Sequence, residues 1–198
     1  MILHQLLYLI ITYLIASIPF GLLFGKIFAK VDIRDFGSKN IGATNATRIL
    51  GKKIGVATLI FDSGKGMILV IIGRFSFVDS SNLHLFLVIV SFVSIVAHIY
   101  PIYLKFKGGK GIATTIGTIL ALDFSVGLLA ICFWILTFMA YKVSALASLV
   151  AVFSTTIFST AYDAPLSQII LCWVVFILVF IRHRENIMRI LTGEEKKM

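Results

Sequence analysis

Hydrophobic positions in this chain do not alternate with polar ones; they run together in blocks. Apolar runs occupy residues 3–24, 54–75, 83–104, 112–122, 124–141, 143–162 and 165–181, and polar residues gather in the gaps. A helix needs roughly 20 apolar residues to cross bilayer hydrocarbon, and most of these runs approach that length. The run at 112–122 is too short to span alone unless it is tilted or the bilayer thins around it. The pattern predicts an all-α polytopic integral membrane protein with seven transmembrane segments, the fourth short, in a single domain over residues 1–198. No basic residue precedes the first run and no small-residue cleavage site follows it, so it is expected to remain as the first helix and not to act as a cleaved signal peptide.

Composition agrees: 59% of the 198 residues are hydrophobic, 14% are charged, and mean hydropathy is +1.03. These values lie outside the range of soluble globular domains. The net charge of +9 raises nucleic acid as a partner, but its distribution argues otherwise. If alternate loops share a side, 16 of the 18 basic residues fall on one side, and Arg74, Asp79, Asp123 and Asp163 on the other. The positive-inside rule then places the N-terminus outside and the C-terminus in the cytoplasm. This partition needs the short fourth segment, because without it Lys142 and the basic tail would fall outside. Cys132 and Cys172 lie in apolar runs and read as packing residues, and His4, His84, His98 and His183 lack ligand spacing. No metal, organic cofactor, nucleic acid or obligate protein partner is expected, and no internal repeat is evident.

Three polar constellations carry candidate chemistry, all assigned to the cytoplasmic side. The first includes Gly37, Ser38, Lys39, Asn40, Gly42, Thr44, Asn45 and Arg48. Glycines permit close backbone approach, the short side chains hydrogen-bond, and a guanidinium offers a bidentate fork to an oxyanion. The second, Phe106-Lys107-Gly108-Gly109-Lys110-Gly111-Ile112-Ala113-Thr114-Thr115, follows His98 and Pro101. It resembles part of a P-loop, but Gly111 follows Lys110 where Ser or Thr is required, so nucleotide hydrolysis is not indicated. Glycines leading into a helix, with lysines beside them, still suit phosphate. The third, Arg182-His183-Arg184-Glu185-Asn186-Ile187, ends the last run. In a helix His183 and Asn186 share a face, as do Arg182 and Glu185. Alone, this block reads as a membrane anchor sooner than as a site, and only its combination with the two loops reverses that.

Asp62 and Lys65 lie inside the second run, three residues apart, and can pair. Charges at such depth face protein or water, which leaves a structural ion pair and a direct substrate contact both open. Ser144 and Ser148 open the sixth run, where a hydroxyl can serve phosphate or merely satisfy a helix carbonyl.

Taken jointly and in order, Gly37-Ser38-x-Asn40-x-Gly42-Ala43-Thr44-Asn45-x-x-Arg48, Asp62-x-x-Lys65-Gly66, His98-x-x-Pro101, residues 106–114 and His183-Arg184-Glu185-Asn186-Ile187 resemble the PlsY family of bacterial acyl-phosphate:glycerol-3-phosphate acyltransferases. The resemblance covers essentially the whole chain. It implies transfer of a fatty acyl group from acyl phosphate to the 1-hydroxyl of sn-glycerol 3-phosphate. The products would be lysophosphatidic acid and phosphate, in the first acylation of phospholipid synthesis at the bacterial cytoplasmic (inner) membrane. Lys39 stands where the family usually has glycine, and the sixth-run motif is one residue longer than usual, with Ser148 favoured over Ser144 as the substrate-facing hydroxyl.

On this reading Ser38, Thr44, Lys110, Ser148 and the 108–111 backbone hold the acyl-phosphate head group. Arg48 and Lys107 take glycerol 3-phosphate, and His183 and Asn186 orient the attacking hydroxyl. Ser38, Lys110, His183 and Asn186 form the catalytic set. Gly37, Asn40, Gly42, Thr44, Asn45, Arg48, Lys107, Gly108, Gly109, Gly111 and Ser148 form the substrate-binding set. Acyl phosphate already carries a good leaving group, so positioning and charge stabilisation suffice without a covalent nucleophile. No G-x-S-x-G occurs, and no histidine has aspartate five residues later, which disfavours a serine hydrolase and an acyl-CoA-dependent transferase. His183 and a substrate phosphate are alternative bases, the latter preferred. The rivals are a transporter of phosphorylated solutes, for which the polar motifs sit too much on one face, and a scaffold built on Gly21-x-x-x-Gly25.

Overall fold

The computed structural model describes residues 2–197, which are helices joined by short connections with no strand. In order these are α1 (Ile2–Ala16), α2 (Phe20–Phe24) continuing as a π-helical turn (Gly25–Ala29), a 3-10 turn (Ile33–Asp35), α3 (Ala43–Leu50), α4 (Lys52–Ser76) and α5 (Leu83–Ile99) with a 3-10 turn (Ile102–Leu104). There follow α6 (Ile112–Leu122), α7 (Phe124–Tyr141), α8 (Ser144–Ala161), α9 (Leu166–Arg182) and α10 (Arg184–Leu191). The contacts divide into two compact units, Met1–Thr118 and Ile119–Met198.

Among the described residues, four helical segments are long and apolar enough to cross a membrane: Lys52–Ser76, Leu83–Leu104, Phe124–Tyr141 and Ser144–Ala161. Two bent pairs raise the number to six, Ile2–Ala16 with Phe20–Ala29 at 41° and Leu166–Arg182 with Arg184–Leu191 at 64°. Ile112–Leu122 is an apolar helix with the bounds expected from the sequence, but shorter than a span.

These helices are inside out by soluble standards. On α4 the buried residues are Gly55, Thr58, Asp62, Lys65, Gly66, Leu69, Val70 and Gly73, a stripe at spacings of three and four. Its exposed residues include Val56, Leu59, Ile60, Phe61, Ile68, Ile72 and Phe75. In α8 the hidden face carries Ser144, Ser148, Ser154, Thr155, Thr156 and Ser159, while Phe153 and Ile157 point outward. Small and polar residues inside with large apolar residues outside is the arrangement that hydrocarbon selects, since only internal partners can satisfy polar groups there.

In the first unit α1 and α4 pack on α5, and α3 lies along the start of α4. The seam between α3 and α4 is narrow: a Cβ at Gly55 would stand 1.8 Å from Thr47 Oγ1. The expected first helix is broken at residues 17–19, where Pro19 has no N–H to continue the ladder. The Ile18 carbonyl at this break accepts from Lys65 Nζ at 2.7 Å. Lys65 also pairs with Asp62 at 2.9 Å, both side chains being almost wholly buried. Thr114 Oγ1 of α6 donates to the Asp62 carbonyl at 3.0 Å, and His98 Nδ1 of α5 stands 3.6 Å from Asp62 Oδ1. The pair joins the α1 break to α4, α5 and α6.

In the second unit α8 packs between α7 and α9, and α10 turns back against α8 and α9. Gly127 of α7 comes so near α6 that a Cβ would lie 2.7 Å from Leu120 Cα. Asp123 caps α7 by accepting from Val126 N at 3.1 Å and accepts from Gln168 Nε2 of α9 at 3.2 Å. Cys172 is buried beside Ser159 at 3.4 Å, whereas Cys132 is exposed.

Lys65→Met should leave the Asp62 carboxylate with His98 alone beside it and the Ile18 carbonyl without its side-chain donor, destabilising the protein by about 3–5 kcal/mol. Thermal unfolding in detergent checks this, and adding Asp62→Asn should recover part of the loss because the unpaired charge is gone.

Candidate active site

In the first unit the polar stretch following α2 folds around one side chain. Asn45, at the start of α3 and 1% exposed, donates from Nδ2 to the carbonyls of Ile33 at 2.8 Å, Asn40 at 2.9 Å and Phe36 at 3.3 Å. Its Oδ1 accepts from Ser38 N at 2.9 Å. Asn45 was expected to contact substrate; in this structure the four hydrogen bonds of its amide all go to the loop. Gly37 sits at φ +62, and a Cβ there would lie 2.3 Å from Asn45 Oδ1, so this glycine is required both for its backbone and for its lack of a side chain. Gly42 needs no such freedom, with φ −79 as the N-cap of α3, and its N–H is held by Asn40 Oδ1 at 3.2 Å.

Within this frame Ser38 is exposed at the tip of the loop, and Thr44 and Arg48 are half-buried on α3. Four residues apart, these two occupy one helix face, a hydroxyl above a guanidinium. Lys39 takes the left-handed conformation at φ +56, which explains why glycine suits this position: a side chain there costs about 1–2 kcal/mol. Just before the loop Asp32 is bound by Arg34 at 2.6 Å. The Arg34 guanidinium holds the Asp32 carboxyl down to about 2.

The glycine-rich stretch after α5 departs from expectation. Gly108 N donates to the Ile99 carbonyl at 3.0 Å and Gly109 N to the His98 carbonyl at 3.1 Å. These two amides close the end of α5, so they are not the phosphate-facing donors the sequence suggested. The glycines allow close approach: a Cβ would lie 2.3 Å from the His98 carbonyl oxygen at Gly108, and 2.2 Å from His98 Nε2 at Gly109. Lys110 and Gly111 come next, Gly111 at φ +87, and α6 begins at Ile112. Lys107 is exposed and Lys110 half-buried. Two lysines thus stand just before α6, at positions 107 and 110.

In the second unit, Ser148 lies in the first turns of α8 and is 6% exposed. Its hydroxyl donates to the Ser144 carbonyl at 2.8 Å and accepts from Trp134 Nε1 at 3.2 Å. Binding phosphate would require it to exchange the carbonyl partner. His183 and Asn186, both buried, occupy the 64° bend from α9 into α10. His183 Nδ1 lies 2.9 Å from the Val179 carbonyl. A carbonyl only accepts, so Nδ1 carries the hydrogen and Nε2 of the neutral ring is the acceptor. Asn186 Nδ2 donates to Glu195 Oε1 at 2.8 Å. Neither Val179 nor Glu195 was signalled by the sequence: the first acts through its backbone, and the second follows a turn whose direction no motif announces.

A separate cleft of the first unit, lined by His4, Ser76, Phe77, Asp79 and Ser80, contains none of the expected residues. Among the described residues no group of three or more His, Cys, Asp or Glu side chains is placed to hold a metal ion.

The profile of the family described as glycerol-3-phosphate acyltransferase matches residues 6–193. The chain belongs to the glycerol-3-phosphate acyltransferase family. A Pelagibacter ubique glycerol-3-phosphate acyltransferase is 40% identical over 186 residues, 94% of this chain and 93% of the relative. One from Macrococcus caseolyticus is 42% identical over 195 residues, 97% and 96% respectively. Two crystal structures of PlsY (YgiH), an integral membrane glycerol 3-phosphate acyltransferase, share the fold. Its glycerol 3-phosphate form has a TM-score of 0.92 at 39% identity, covering 98% of this chain and 96% of that one. The lysophosphatidic acid form has 0.89 at 38%, covering 98% and 95%. The PlsY resemblance read from the motifs is thus the family relationship found, and the chain is a multi-pass membrane protein of an acyltransferase family of lipid biosynthesis.

Replacing Asn45 with Ala removes three to four hydrogen bonds at about 1 kcal/mol net each, so a stability loss of roughly 3 kcal/mol is expected in thermal unfolding. A second expectation concerns acid. Because folding lowers the Asp32 carboxyl from its ordinary 3.8 to about 2, the contribution of the Asp32–Arg34 bridge is complete above 3.8 and is lost as pH falls through about 2. A stability profile of Asp32→Asn against the parent should converge over that interval.

Proposed function

We propose that this protein transfers a fatty acyl group from acyl phosphate to the 1-hydroxyl of sn-glycerol 3-phosphate, releasing phosphate and forming lysophosphatidic acid. The observation that carries the reading is a structural relative described in a glycerol 3-phosphate form and a lysophosphatidic acid form, the acceptor and its acylated product on one fold. Acyl phosphate as donor is supported by the absence of a histidine with aspartate five residues later and by the loop lysines. The chain works as one membrane domain with seven segments, α6 being the short one, its N-terminus outside and its C-terminus in the cytoplasm. The basic loops support this orientation, and the site opens to the cytoplasmic side of the bacterial inner membrane.

In this assignment Ser38, Thr44, Lys110, Gly111 and Ser148 receive the acyl-phosphate head group, and Arg48 and Lys107 the phosphate of glycerol 3-phosphate. Gly37, Asn40, Gly42, Asn45, Gly108 and Gly109 shape the loops that carry them. The glycerol oxygen attacks the acyl carbonyl carbon, the bond from that carbon to the phosphate oxygen breaks, and phosphate leaves with its electron pair. Cationic side chains stabilise the growing charge in a site shielded from water. His183, with Nε2 as its acceptor nitrogen, orients the hydroxyl, whose proton passes to a substrate phosphate.

The deciding assay offers radiolabelled glycerol 3-phosphate with acyl phosphate, acyl-CoA or acyl-carrier protein to the protein in detergent. Lysophosphatidic acid is expected with acyl phosphate; its absence would sink the proposal. His183→Ala should lower kcat by less than roughly 100-fold, because a positioned general base commonly contributes about 10²–10⁴. Lys110→Ala and Ser38→Ala should be more damaging, and full turnover in Lys110→Ala would overturn the site assignment.

A further inference from the structure

After α10 the chain reverses at Gly193, which adopts φ +75. Gly193 N donates to the Ile190 carbonyl at 3.2 Å, and the Arg189 carbonyl accepts from Glu194 N at 2.7 Å and Glu195 N at 3.0 Å. The reversal lays the Glu195 carboxylate along the side of α10, where its side chain is only 8% exposed. Oε1 accepts from Asn186 Nδ2 at 2.8 Å and Oε2 from Arg189 Nε at 2.8 Å.

The chemistry of these partners fixes a direction. An ionised carboxylate has no proton to donate, so the Asn186 amide must turn its NH2 toward Glu195, which puts Oδ1 on the opposite side of the amide. Arg189 is donor-only and secures the other carboxylate oxygen, so the carboxylate is held from both sides. One turn earlier, His183 is fixed by a backbone carbonyl so that Nε2 is its acceptor. The α9–α10 bend thus carries two side chains whose hydrogen-bonding sense is set from outside.

We propose that Glu195 is a positioning residue for acyl transfer, orienting the Asn186 amide so that its oxygen, and not its NH2, addresses the attacking hydroxyl. The inference rests on the assignment of that hydroxyl to His183 and Asn186. A hydroxyl about to attack a carbonyl carbon needs an acceptor for its hydrogen and a lone pair left unencumbered. An NH2 turned toward it would donate to that lone pair and blunt the nucleophile.

Glu195→Gln gives a sharp test because Arg189 decides how the new amide sits. Arg189 can only donate, so the Gln oxygen faces Arg189 and the Gln NH2 faces Asn186, which must then flip. In the purified full chain, kcat should fall roughly 10- to 100-fold, the range for one misdirected hydrogen bond, with KM for acyl phosphate little changed. Asn186→Asp should also lose activity, since two carboxylates then confront each other. The double variant Asn186→Asp with Glu195→Gln reverses the donor while keeping the acceptor. The Gln NH2 donates to one Asp oxygen, the other is presented to the hydroxyl, and the net charge of the pair is conserved.

Recovery of kcat in the double variant to well above either single variant is the expected result, with Tm measured in parallel to show that all three are folded. Unchanged kcat in Glu195→Gln would overturn the proposal. So would a folded double variant as inactive as the worse single, since Asn186 would then be needed as a donor. A wild-type protein that forms no lysophosphatidic acid removes the functional reading and this inference together. An active wild type with no rescue removes only the inference.

Discussion

Lys65 holds a position that hydrocarbon makes compulsory. Its ammonium group fills the carbonyl of Ile18, orphaned where Pro19 interrupts the first helix, and neutralises the Asp62 carboxylate one turn away on its own helix. Water could perform either task in a soluble protein; here protein atoms must. Since Asp62 also receives Thr114 through its carbonyl and stands beside His98, the same cluster fixes the end of α5 and the entry to α6. The glycine-rich stretch between those helices then needs little structure of its own, because Gly108 and Gly109 simply fasten to the last carbonyls of α5. One buried ion pair accordingly ties the break in the first helix to the end of α5 and the entry to α6.

Much of this was legible in the sequence for a physical reason: long apolar runs can do little but form helices in a bilayer. The expected bounds at residues 112–122 and 124–141 coincide with α6 and α7, and the spacing of Asp62 and Lys65 foretold their pairing. The break at residues 17–19 went unforeseen because hydrophobicity continues across it, and the interruption depends on backbone chemistry that an apolar count cannot register. Helix α3 was hidden for the opposite reason. Its Asn, Thr and Arg content reads as loop, and it is helical only because it packs along α4.

The candidate site divides similarly. The residue types were evident, but their hydrogen-bonding commitments were not. Asn45 looked like one more polar group for a ligand and proves to be the residue around which the loop is wound. The glycines at 108 and 109 looked like open amides and are closed. Motif reading reports which groups are gathered; only the partners reveal which remain to be offered. That distinction also separates Ser148, already bound within its helix and to Trp134, from Ser38 at the exposed tip of its loop.

The close seam at Gly55 bears on how freely such a chain can vary. No side chain fits there, because Thr47 occupies the space a methyl group would take, yet Val56 next to it faces outward and is more than half exposed. Neighbouring codons therefore stand under opposite regimes: one admits almost any apolar residue, and the other admits a single amino acid although no substrate need touch it. A saturation library scored for growth would return blank columns at such seams, scattered among permissive ones. Inferring catalytic importance from intolerance alone would then mistake the thickness of a helix contact for chemistry.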